Sequence, residues 1–211
     1  MSDIRRGLYL ITPDWTDTDR LLQAVEAGLA GGAVLLQYRN KVADAPLRRE
    51  QAAALLPLCR ARGVPLIIND AAAEAVAVGA DGVHLGRDDG DPAAARALLP
   101  PGSLLGVSCY DELARALAGA RAGADYLAFG AVFPSATKPG AVRAPLALFA
   151  RTRAALQQQG VPVPALCAIG GISLERAPEV VAAGADLLAV ISDVFDAADV
   201  RRRVAAYTAL F

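Results

Sequence analysis

Eight short apolar runs, separated by longer stretches with helical spacing, constrain this chain more than any other feature. They are Leu8 to Thr12, Ala33 to Arg39, Pro65 to Asp70, Gly82 to Gly86, Leu104 to Cys109, Tyr126 to Phe133, Ala165 to Ile172 and Leu187 to Ser192. Runs apolar on both faces suit parallel strands covered by helices, and the intervening lengths suit βα crossovers. Gly79-Ala80-Asp81, Gly123-Ala124-Asp125 and Gly184-Ala185-Asp186 each close a helical stretch and precede a strand, as Gly31-Gly32-Ala33 does more loosely. Glycine suits the left-handed position after a helix, so the pattern marks repeated αβ joints and carries no chemistry of its own. Eight strands in βαβα order favour an α/β fold closed as a (β/α)8 TIM barrel over an open doubly wound sheet. The 211 residues lie near the lower end for such a barrel, and with no linker or low-complexity tract, 1–211 reads as a single catalytic domain.

Composition narrows the partners. Hydrophobic residues make up 55% of the chain and charged residues 20%, enough to bury a core. Net charge is −1 with Lys and Arg scattered, which provides no electrostatic footprint for nucleic acid or an anionic membrane. Small-molecule partners are expected, and a homo-oligomer is compatible with the sequence. Cys59, Cys109 and Cys167 are odd in number and far apart, as for reduced, buried thiols in cytosol. The apolar run from Gly7 to Thr12, broken by Pro13 and Asp14, is too short for a signal peptide or a membrane span, so a cytoplasmic protein is expected.

In such a barrel the active site is built at the C-terminal ends of the strands. There the second run ends Gln37-Tyr38-Arg39-Asn40-Lys41, the third Asn69-Asp70, and the fourth leads into Arg87-Asp88-Asp89. The fifth reaches Ser108, the sixth leads to Ser135-Ala136-Thr137-Lys138, the seventh passes Gly170-Gly171, and the eighth ends Ile191-Ser192-Asp193. Gln37, Arg39 and Lys41, two apart, point to one side while the strand persists and can converge on an anion. Lys138 adds a third cation, which favours a polyphosphate site over ordinary solvated charges. Asp70 and Asp89 follow neighbouring strands. Hard carboxylate oxygens are what Mg²⁺ takes, although the same pair could form ion pairs with Arg39, Lys41 and Lys138. Gly170-Gly171 and Ile191-Ser192 lie where barrels commonly hold a phosphate, although a tight turn explains a glycine pair equally well.

His84, the only histidine, lies inside the fourth run, where a structural imidazole competes with a catalytic one. Nothing resembles a nucleophile elbow, a Cys/His pair or a zinc cluster. A site rich in anion and metal ligands and poor in acid or base suits a reaction whose leaving group departs because its charge is stabilised.

Taken together, Gly7 to Thr12, Gln37-Tyr38-Arg39-Asn40-Lys41, Ile68-Asn69-Asp70, Gly82-Val83-His84-Leu85-Gly86 with Asp89, Gly106-Val107-Ser108, Thr137-Lys138-Pro139, Ile169-Gly170-Gly171-Ile172 and Val190-Ile191-Ser192 resemble the thiamine-phosphate synthase family over nearly the whole chain. The resemblance implies that hydroxymethylpyrimidine diphosphate reacts with a thiazole phosphate to give thiamine phosphate and pyrophosphate. The surplus of anion and metal ligands over acid–base groups makes a Mg²⁺-assisted dissociative substitution the expected mechanism. The resemblance also implies that Gln37, Arg39, Lys41, Asn69, Ser108 and Lys138 hold the pyrimidine diphosphate, with Asp70 and Asp89 on Mg²⁺. Ser135, Thr137, Gly171, Ile191 and Ser192 would hold the thiazole phosphate, and Tyr38, Asn40 and Ala136 belong to the same binding segments. Lys138, Arg39, Lys41 and Ser108 are the expected catalytic residues. Two positions depart from the family pattern: Ala71 stands where an Arg often follows Asn-Asp, and Arg87 where a Gln often follows His-Leu-Gly. Arg87 is a candidate to replace the missing charge.

A related thiazole tautomerase typically carries a His two positions after the fifth-strand Ser. Here that position is Tyr110, and Lys41, Thr137 and Lys138 favour the transferase. A non-catalytic phosphometabolite-binding regulator on the same fold would need no metal carboxylates.

Overall fold

The computed structural model describes residues 4–134, 140 and 142–211. Eight strands alternate with helices: β1 (Gly7–Ile11), α1 (Thr18–Ala30), β2 (Leu35–Tyr38), α2 (Ala45–Arg62), β3 (Leu66–Asn69), α3 (Ala72–Val78), β4 (Gly82–Leu85), α4 (Pro92–Leu98) and β5 (Leu104–Tyr110). They continue through α5 (Leu113–Arg121), β6 (Tyr126–Gly130), α6 (Ala147–Gln158), β7 (Ala165–Ile169), α7 (Ala177–Ala182), β8 (Leu187–Val190), α8 (Ser192–Phe195) and α9 (Val200–Thr208). Each strand pairs in parallel with the next and β8 returns to β1, so the sheet closes as the expected (β/α)8 barrel. No helix among the described residues is long and apolar enough to cross a membrane.

Strand alternation divides the apolar residues into two layers. Tyr9, Leu35, Ile67, Leu104, Tyr126, Cys167 and Leu187 fill the barrel, while Leu8, Leu36, Ile68, Leu105, Leu127, Leu166 and Leu188 pack under the helices. All three cysteines are free and buried, and burial raises each thiol's pKa, so they are inert packing groups.

The Gly-Ala-Asp joints do more than stop helices. Asp81, Asp125 and Asp186 accept the backbone N–H of Leu66, Leu105 and Leu166, respectively, each on the preceding strand. Each carboxylate therefore ties the entrance of one strand to its neighbour. Arg96 and Arg153 pair with Asp125 and Asp186 at 2.8 and 2.9 Å, extending the ties to α4 and α6. This face also carries a cavity of about 530 Å³. It lies at the strand entrances, and its Arg96, Arg153, Asp125 and Asp186 are already engaged with one another.

Several apolar runs outlast their strands. After Gly130, Val132 and Phe133 continue the apolar pattern, but their N–H groups bond Ile169 and Gly170 carbonyls as the chain turns across the mouth. At the end of β5, Tyr110 takes φ +55°, next to a register shift against β6.

Candidate active site at the barrel mouth

The polar strand ends converge as expected, although they divide between contact and support. Gln37 faces the barrel interior, where its Nε2 donates to Tyr9 Oη at 2.6 Å. Beyond β2, Arg39 meets both carboxylate oxygens of Asp14 at 3.1 Å, and the backbone N–H of Lys41 donates to Asp14 Oδ1 at 2.7 Å. Lys41 Nζ lies 3.3 Å from Asp70. Each of these two cations thus already has a carboxylate partner at the mouth.

Tyr38 and Asn40 alternate outward, toward the helical layer. Tyr38 Oη donates to Gln51 Oε1 at 2.8 Å. Asn40 Nδ2 donates to the Trp15 carbonyl and to Gln51, and its Oδ1 accepts from Val42 and Ala43 N–H. Their polar groups hold the β2 loop in shape. Both border a cavity of about 310 Å³ shared with Lys41, Asn69 and Asp70.

Asp70 takes the left-handed conformation at φ +67°, which few residues other than glycine adopt and which is concentrated at functional sites. Its carboxyl neighbours that of Asp89. Burial first, and then the neighbouring Asp70 carboxyl, push Asp89 above the usual carboxylate range, while the Gly86 N–H and Lys41 pull it down. A Cβ on Gly86 would lie 2.7 Å from Asp89 Oδ2, so glycine is what lets that carboxylate fold back over the end of β4. Two adjacent carboxyls, one reluctant to ionise beside the other, fit a divalent cation whose charge would relieve their repulsion. Among the described residues no three His, Cys, Asp or Glu side chains cluster to hold a metal, so water and ligand oxygens would complete the shell.

Arg87, the candidate for the charge absent at Ala71, is engaged on the α5 side of the mouth. Its guanidinium pairs with Glu112 and lies over the Tyr110 ring, 4.7 Å from the centroid, toward α5. Arg115, which the sequence did not single out, donates to the carbonyls of Ser108 and Gly86 and clamps the ends of β5 and β4 together.

His84 Nε2 lies 2.8 Å from Ser108 Oγ and Nδ1 3.1 Å from Tyr126 Oη, and Tyr126 Oη lies 2.6 Å from Tyr9 Oη. With the Gln37 bond, these contacts form one buried chain from β2 to β5. Gly106 makes it possible, because a Cβ there would come within 2.0 Å of the Tyr126 ring. Burial lowers the His84 pKa to about 4, opposed by the charge of Asp89, so the imidazole is neutral near pH 7. The folded state then refuses a proton that the unfolded chain accepts below about 6.5. Stability from this group is present above that pH, declines as pH falls and levels off near 4, a loss of up to about 3 kcal/mol. Urea unfolding across this window will show a shallower acid decline in His84→Gln than in the wild type. Parallel declines would contradict the assignment, which is unambiguous because the chain has one histidine.

On the other side of the mouth, Gly170 and Gly171 have φ of +98° and +64°. A Cβ on Gly171 would sit 2.2 Å from the Pro134 carbonyl oxygen, so the pair is required by the tight turn against the β6 loop, whatever else it binds. Ile191 packs against the barrel interior, and Ser192 opens α8. Asp193 accepts from Tyr207 and Arg203, both at 2.8 Å, and anchors α8 to α9. Ser135, Ala136, Thr137 and Lys138 lie outside the described residues. The chain on either side of that segment is pinned at the mouth by Phe133 N–H on Gly170 and by Ala131 N–H on Val142.

Fold and site together define a (β/α)8-barrel enzyme whose strand ends gather cations and paired carboxylates. Residues 8–194 match the family model for thiamine monophosphate synthase. Proteins named thiamine-phosphate synthase from Azoarcus sp. (strain BH72) and Aromatoleum aromaticum are 62% and 61% identical, covering 100% of this chain and 100% and 99% of theirs. A solved thiamine phosphate pyrophosphorylase from Pyrococcus furiosus aligns with a TM-score of 0.81 at 33% identity, covering 98% of this chain and 96% of that one. The chain belongs to the thiamine monophosphate synthase family.

Proposed function

We propose that this chain condenses hydroxymethylpyrimidine diphosphate with a thiazole phosphate, forming thiamine phosphate and releasing pyrophosphate, as a transferase of thiamine biosynthesis. The observation that carries this reading is the Asp70–Asp89 carboxyl pair beside Lys41, with Arg39 sharing Asp14 with the Lys41 backbone, a set suited to a metal-bound diphosphate. Asp70 and Asp89 would hold Mg²⁺, which when bound supplies charge neutralisation for the diphosphate. Lys41 and Arg39 then exchange part of their carboxylate contacts for diphosphate oxygens, and by the family resemblance Lys138 adds a third cation.

With the leaving group stabilised, the bond between the pyrimidine methylene carbon and the diphosphate oxygen breaks first, and the electron pair leaves with pyrophosphate. The thiazole nitrogen donates its lone pair to the resulting carbocation. No general base is needed, because the ring nitrogen that attacks bears no proton. Gly171, Ile191 and Ser192, with the segment carrying Ser135 and Thr137, would position the thiazole phosphate and keep water away. The setting we propose is the cytoplasm, with 1–211 acting as one catalytic domain.

Asp70→Ala and Asp89→Ala are each expected to raise the Mg²⁺ concentration needed for half-maximal activity while leaving thermal unfolding close to the wild type. Mg²⁺ titrations of initial rate check this. Unchanged metal dependence in both variants would remove the carboxylates from the metal.

A further inference from the structure

The sequence breaks a local rule at Arg115. This cation stands in the first turn of α5, where the partial positive charge of a helix N-terminus favours anions, and no acidic residue accompanies it there. Its hydrogen bonds explain the position. The ladder between β4 and β5 runs to Leu85–Val107, and one residue further on Arg115 takes the place of the next rung. Its Nε donates to the Ser108 carbonyl at 2.6 Å and its Nη2 to the Gly86 carbonyl at 2.9 Å.

The Gly86–Arg87 peptide is thereby held from both sides. Its carbonyl accepts from Arg115, and its N–H donates to Tyr110 Oη at 3.2 Å. Glycine leaves a peptide freer to rotate than any other residue does, so these two bonds decide how this one is turned. The orientation matters for Asp89, because the N–H of the same Gly86 donates to Asp89 Oδ2 at 2.7 Å and keeps that carboxylate folded over the end of β4. Tyr110 is fixed in its turn. Its backbone is left-handed at φ +55°, and the Arg87 and Arg115 guanidiniums lie 4.7 and 5.8 Å from its ring centroid. A bulky residue keeps such a backbone only where its surroundings over-determine it, and these conformations cluster at functional sites.

We propose that Arg115, with Tyr110 as its partner, is a positioning residue that sets Asp89 and Ser108 at the spacing a metal-bound diphosphate requires. This role rests on the reading above of Asp89 as a Mg²⁺ ligand and Ser108 as a diphosphate contact. Arg115 acts through the backbone: its donors meet two carbonyls, one on each strand end, and a planar fork spans such a pair where a lysine ammonium would not.

Calorimetric titration with magnesium pyrophosphate reads the site without turnover. The dissociation constant should rise about tenfold in Arg115→Met, the size of effect typical when the support of a metal ligand is lost, with the KM for thiazole phosphate unchanged. A purely structural role would lower the fraction of chains that bind and leave the dissociation constant of the rest unaltered, which would overturn the proposal. Arg115→Lys keeps the charge without the fork and should remain weakened; full recovery would make charge alone the cause and overturn it as well. Should Arg115→Met fail to fold, Tyr110→Phe removes only the hydroxyl that holds the Arg87 N–H. Its dissociation constant should rise about threefold, and no change there would also overturn the proposal. A wild type that binds no magnesium pyrophosphate defeats the functional reading itself, whereas variants that bind as tightly as a binding wild type overturn only the role of Arg115.

Discussion

Replacing the pyrimidine ring methyl by trifluoromethyl will slow the single-turnover chemical step by several orders of magnitude, with little change in affinity for the pyrimidine diphosphate. In the proposed reaction Arg39, Lys41 and the Asp70–Asp89 pair would stabilise the leaving group. The chain's only imidazole is neutral and enclosed between Tyr126 and Ser108, so it is not placed as a base for an attacking group. A reaction driven from the leaving-group side develops positive charge on the ring methylene, and a trifluoromethyl group withdraws the electrons that would stabilise it. The diphosphate contacts are untouched, so binding should be preserved. Rapid-quench kinetics at saturating thiazole phosphate for the two pyrimidines make the comparison. Chemical rates within a few-fold of each other would mean that the thiazole nitrogen displaces pyrophosphate directly.

Asp14→Ala should lower kcat/KM for the pyrimidine diphosphate by about 10²-fold, with the KM for thiazole phosphate unchanged. Asp14 holds the Arg39 guanidinium at 3.1 Å and the Lys41 backbone at 2.7 Å, and so sets the position of two cations from a different strand end. Displacing a charge by an ångström from the oxygens it must stabilise is enough for a loss of this size. Asp14→Asn keeps an oxygen for the Lys41 N–H and should retain much of the activity. Tighter diphosphate binding with normal turnover in Asp14→Ala would instead make Asp14 a mere competitor for Arg39.

The sequence shows Asp14 only as a break after the first apolar run, because its pairing depends on where the chain returns 25 residues later. Strand-end polarity, in contrast, was readable. Parallel strands buried on both faces concentrate polar residues where they emerge, so Gln37, Arg39, Lys41, Asn69, Asp70, Asp89 and Ser108 stand out in the sequence itself. Period-two spacing also places Gln37 inward and Tyr38 outward, but the strand stops at Tyr38, and from there loop contacts with Gln51 and Trp15 decide where Asn40 points. The Tyr9–Tyr126 bond joins residues 117 apart on opposite walls of the barrel, a contact that only closure creates. Arg87 illustrates the limit of position-by-position substitution: its place beside the mouth matched the missing charge, yet Glu112 and the Tyr110 ring draw it toward α5.

The most direct test of the central claim is the stoichiometry of the purified chain's products. Incubated with hydroxymethylpyrimidine diphosphate, thiazole phosphate and Mg²⁺, it should release one pyrophosphate for each thiamine phosphate formed, and neither product should accumulate when the thiazole phosphate or the metal is left out. Pyrophosphate release without thiamine phosphate, or binding of both substrates with no release at all, would contradict it.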